Sequence, residues 1–236
     1  MSREVTNDFV RLKEFFANYT TAANLGNATF VKFLSAYHKK YLAYLTYIAE
    51  LSAYKNNATL KGLTAKQFEF FSESCSDCGL ALFDAVNGNY KASRLLLRSS
   101  IENFMKAIVL DEDTTIDQES SVFNLFDRVK AVSMFSSSAE TMKLYYSIHQ
   151  EYRELCRDVH TAGVENMTQL SALKTFPTFD EKQAEGLMRI VKTLIMSYVT
   201  LLSLKYNNHY HSIGFANKDV IENAVILEYA DLINNK

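Results

Sequence analysis

The sequence predicts an all-α protein, and three observations carry the prediction. Apolar residues recur at three- and four-residue spacing along most of the chain, turn-forming residues are scarce, with one proline and seven glycines, and Leu, Ala, Lys, Glu, Phe and Tyr are found throughout. A chain with so little turn punctuation favours long helices. At 236 residues it can bury a substantial core, as one large helical domain with extensions.

The elements follow in order. Phe9, Leu12, Phe15 and Phe16 form one stripe and predict a short helix over about 5–19. After an LGN break, Thr29 is placed to cap a long second helix to about Tyr54, with Phe33, Leu34, Tyr37, Tyr41, Tyr44, Leu45 and Ile48 along one side. A face so aromatic belongs in a core or a subunit interface. Thr64, with Gln67 three residues on, reads as a capping box opening a third helix to about Val86, where an NGN turn intervenes. A fourth helix covers 90–110, and the polar run DEDTTIDQESS over 111–121 is a loop. A shorter helix at 122–132 precedes SSSAE, whose serines can cap a helix over 137–160. Residues 161–179 read as a loop containing Pro177, and Asp180 can cap a long helix to about Tyr206. An amphipathic segment over 218–233 closes the chain. The organisation expected is an N-terminal helical extension over 1–60, a bundle over 64–206 and a C-terminal helical segment over 207–236.

Composition narrows the function classes. A net charge of −2 and a pI near 6.2 argue against a dedicated nucleic-acid coat, though they allow a small local RNA site. The start, MSREVTNDFV, lacks the apolar run of a secretory signal. The most apolar stretch, Leu187 to Tyr206, contains Arg189, Lys192 and Lys205, which favours a buried helix over a membrane span. A cytosolic protein with no membrane partner is expected. Three cysteines make no disulfide framework, and the lone CSDC pair, Cys75 and Cys78, reads as packing at i, i+3. There is no HExxH, no paired ExxH, no Gly-rich phosphate loop and no nucleophile elbow, so no metal site and no cofactor are expected.

Chemistry concentrates in YRELCRDVH, Tyr152 to His160. Seven residues span almost two helical turns, so Arg153 and His160 project from one face, with Cys156 and Arg157 near the line between them. His149 lies one turn before Arg153. In the fourth helix Arg94, Arg98 and Glu102 form a second charged line at i, i+4, i+8. His38, His209 and His211 belong to other segments and receive no role.

The order of these features, RSSIE at Arg98 to Glu102 in a leucine-rich helix, then a polar loop, then a helix ending YRELCRDVH, resembles the HEPN superfamily of helical nucleotide-binding domains. The resemblance covers about 64–206. Glu154 stands where the family usually has a small polar residue after the arginine, and Ala162 where some toxin members carry a tyrosine. The resemblance implies metal-independent RNA cleavage by a toxin or antiviral-defence ribonuclease. Its catalytic pair would be Arg153 on the phosphate and His160 as acid/base, with Arg94, Arg98, Glu102, His149 and Arg157 supporting the site or binding RNA. It also implies a homodimer that brings two motif helices together, and a neutralising or activating protein partner. The residue types suit that chemistry, since an imidazole exchanges protons near neutral pH and a guanidinium holds a phosphate. The alternative reading is a non-catalytic helical module for dimerisation or partner binding, in which the same pair closes a polar network.

Overall fold

A computed structural model describes residues 2–16, 24–54, 63–157 and 179–234. Among the described residues the chain is all-α, with no strand. The helices are α1 (Arg3–Phe16), α2 (Ala28–Tyr54), α3 (Ala65–Val86), α4 (Tyr90–Val109), α5 (Val122–Ala131), α6 (Ser133–Ser136), α7 (Ala139–Arg157), α8 (Glu181–Lys205), α9 (Asn207–Ser212), α10 (Phe215–Glu222) and α11 (Ala230–Asn234).

Local chemistry sets most of the boundaries. The capping box forms: the Thr64 hydroxyl accepts from the Gln67 amide at 3.1 Å and the Gln67 side chain accepts from the Thr64 amide at 2.9 Å. Gln67 also donates to the Ala107 carbonyl and to Asp111, each at 3.1 Å, which fastens the start of α3 to the end of α4. The NGN turn places Gly88 at φ 77°, a left-handed conformation that glycine adopts without strain. Asp180 caps α8 by accepting from the Gln183 amide at 2.8 Å. The cap of α2 is Asn27 and not the expected Thr29, because the Asn27 carboxamide accepts from the amides of Thr29 and Phe30.

The C-terminal segment departs from a continuous helix. After α10 the chain makes a 3-10 turn at Leu227–Tyr229 before α11. Groups that an uninterrupted helix would pair internally find partners elsewhere: the Asn223 carbonyl accepts from Lys40 on α2, and the Ile226 amide donates to Thr200 Oγ1 on α8 at 3.0 Å.

The core is a single hydrophobic cluster with α8 at its centre, packed by α2, α4 and α7, while α3 and α4 form a tight antiparallel pair. At its middle Phe104 and Tyr198 stack with ring centroids 3.9 Å apart, and Tyr44 lies 5.5 Å from Tyr198. The aromatic face of α2 is spent here, since Tyr37, Tyr44 and Tyr47 are fully buried within the protomer. A polar seam threads this interior: Tyr44 donates to Ser74 Oγ at 3.1 Å, Ser74 donates to the Ser100 carbonyl at 2.9 Å, and Ser100 Oγ meets Cys78 Sγ at 3.2 Å. Burial pushes the Cys78 thiol up to about 12 and Cys75 further in the same direction, so both are inert packing groups. Among the described residues α8 is the one helix long and apolar enough to cross a bilayer, and 72% of its apolar window is buried in the bundle.

A candidate nucleotide cleft between α5 and α7

Helix α7 is held by three other helices. From α4, Glu102 accepts from the Tyr152 hydroxyl at 2.8 Å, and Arg98 Nε lies 3.2 Å from Glu102 and 3.0 Å from the Tyr152 oxygen. From α8, Arg189 donates to Glu151 at 2.9 Å and to Glu154 at 2.5 Å. From α5, the Phe126 carbonyl accepts from Tyr145 at 3.0 Å, while the Phe126 ring packs on His149 and Tyr152 at 4.4 and 4.8 Å between centroids. Helix α5 is itself anchored by Arg128, which grips both carboxylate oxygens of Asp113 at 2.6 and 2.8 Å and donates to Thr115 at 2.7 Å.

These contacts leave an open cleft of about 600 Å³ along the seam of α5 and α7. Phe123, Phe126 and Asp127 form one wall, and His149, Tyr152, Arg153, Cys156 and Arg157 the other. Arg153 is exposed, and no carboxylate among the described residues pairs with it. The nearest acidic neighbour on its own helix, Glu154, is engaged by Arg189 and by Arg157 at 3.3 Å. Burial pushes His149 below the ordinary imidazole range and Arg153 adds to that, with Asp127 opposing, so at neutral pH its ring is uncharged. The Tyr152 hydroxyl is driven well above its usual range by burial and by Glu102, so it acts as a donor and not as a base.

The sequence-derived residues are therefore divided by the fold. His149, Arg153 and Arg157 line the cleft. Arg98 and Glu102 stand behind Tyr152, where they brace α7. Glu102 meets Tyr152 and Arg98, not Arg153. Arg94 donates to Gln183 on α8 at 3.2 Å, beyond this brace. His160 lies outside the described residues. Sequence reasoning missed Tyr152, Arg189, Phe123 and Phe126. Tyr152 is adjacent to Arg153, but nothing in the spacing tells that its hydroxyl is the one to meet Glu102. Among the described residues no group of three or more His, Cys, Asp and Glu side chains is gathered as a metal site would require.

No protein-family model, no curated protein and no solved structure matches the chain.

Proposed function

We propose that this chain is a HEPN-like, metal-independent endoribonuclease of toxin or antiviral-defence type. The observation that carries the reading is Arg153: an exposed guanidinium in an open cleft, without a described carboxylate partner, on a helix whose Glu151 and Glu154 are tied to Arg189 of α8. A guanidinium left for solvent beside an aromatic wall is suited to an anionic ligand.

In this reading the substrate's own 2′-oxygen attacks phosphorus, the bond to the 5′-oxygen breaks, and the products are a 2′,3′-cyclic phosphate and a 5′-hydroxyl. Arg153 holds the non-bridging oxygens and offsets their growing charge. His160, assigned from the sequence, takes the proton from the 2′-hydroxyl or gives one to the leaving oxygen. A homodimer supplies a second copy of the pair, a neutralising or activating partner regulates it, and the cytosol is the compartment. The non-catalytic alternative would have Arg153 closed into a polar network.

The test is incubation of the protein with total RNA and with DNA in EDTA, alongside His160→Ala and Arg153→Lys. RNA alone should be cut, leaving cyclic phosphate ends, with each variant slower by about 10²-fold or more. Equal degradation by wild type and His160→Ala, or none by wild type with any activating partner present, assigns the chain to the non-catalytic module.

A further inference from the structure

We infer that the cleft between α5 and α7 binds one unpaired nucleobase stacked on the ring of Phe123, with the adjoining phosphate on Arg153. This rests on the ribonuclease reading and sharpens it, naming the residue that would hold the base.

Phe123 sits in the first turn of α5 and is 77% exposed. The helix does not need it for packing, because Leu125, Phe126 and Val129 supply the buried face. Its ring is therefore presented to the cleft at no gain to the fold. Bases of any identity have a flat π-face to lay on such a ring, and inside a duplex those faces are covered by the stacked neighbours. Behind it, Phe126 and His149 stack at 4.4 Å, and the uncharged His149 ring keeps that floor aromatic and not cationic.

The charges divide the cleft in the order a nucleotide needs. Glu154 is occupied by Arg189 and Arg157, so the net positive charge on the α7 wall is that of Arg153. Asp127 lies one turn after Phe123 on the opposite wall. A carboxylate there disfavours a second phosphate and accepts from the amino or imino hydrogens of a base edge. An aromatic platform and an acceptor on one wall with a guanidinium on the other match a base joined to a phosphate. The volume of about 600 Å³ lies in the small-ligand range.

The experiment is fluorescence anisotropy with a labelled 2′-O-methyl RNA octamer, which cannot be cleaved, presented single-stranded or annealed to its complement. Wild type should bind the single strand and not the duplex. Phe123→Ala should weaken binding about 5- to 100-fold, while Phe123→Trp retains it. Arg153→Ala should weaken it as well. Full binding by Phe123→Ala beside weakened binding by Arg153→Ala would overturn the base site and leave only a phosphate contact. A fall from dimer to monomer in sedimentation of Phe123→Ala would overturn it in favour of a subunit interface, and wild type that binds no octamer would overturn it outright. The two proposals separate cleanly. Phe123-dependent binding by a protein that never cuts natural RNA keeps the base site and removes the ribonuclease, and cutting unchanged in Phe123→Ala does the reverse.

Discussion

The Tyr152 hydroxyl donates to the Glu102 carboxylate at 2.8 Å, and this bond joins α4 to α7. Tyr152 is buried, Glu102 is half-buried, and Arg98 closes the third side through both. The contact turns α7 so that its next residue, Arg153, faces the cleft and not the core.

Tyr152→Phe should therefore destabilise the protein by about 1.5–3 kcal/mol, the range of a hydrogen bond to a charged acceptor. Glu102→Ala should cost somewhat more, because it strands both Arg98 and the phenol. Urea unfolding followed by circular dichroism measures both. In a double-mutant cycle the two losses should fall well short of additive, and full additivity would mean the two groups do not interact.

Arg128 controls the other wall. Its bidentate hold on Asp113, with Thr115 as a further acceptor, fixes α5 against the 111–121 loop. Arg128→Lys keeps the charge but cannot reproduce the fork. Amide exchange over 122–131 should speed up several-fold while exchange in α3 and α4 stays as in wild type.

Glu151 gives a prediction about pH. Burial holds its carboxyl above the usual glutamate range, Arg189 pulls against that, and one carboxylate oxygen is buried without a described partner. With the folded pKa above the unfolded value, the folded state binds more protons. The stability this gives is present below the unfolded pKa and is lost as pH rises through the folded one. Glu151→Gln removes the buried charge and keeps an acceptor for Arg189. It should be more stable than wild type at neutral pH, with the difference disappearing below about pH 4.5. Urea midpoints at several pH values decide this, and a constant difference across the range would sink the idea.

Ser100 tests the buried seam. Its hydroxyl meets Cys78, Ser74 and, at 3.5 Å, Tyr198, all in the interior. Ser100→Ala should cost about 1–3 kcal/mol by leaving those groups short of a partner. Adding Tyr198→Phe should cost less in that background than in wild type, since both ends of the weakest link are then removed.

The sequence by itself determined the helical class and most boundaries, because these depend on local chemistry. The periodic stripes, the Thr64 and Gln67 box, the Asn-Gly-Asn turn and the Asp180 cap act over a few residues and need no distant partner. It also marked Arg153, His149 and Arg157 as neighbours, since residues three or four apart share a helix face whatever the fold. What it did not carry is anything set between helices. Glu102 lies 50 residues from Tyr152, and Arg189 lies 38 residues from Glu151. Helical spacing fixes a residue's direction on its own helix but not which neighbour packs there. For the same reason only the tertiary structure decided that the aromatic face of α2 is core, that the last segment breaks at Asn223, and that Phe123 faces a cleft. Burial is a property of the assembled bundle, and an exposed phenylalanine reads in sequence like a buried one.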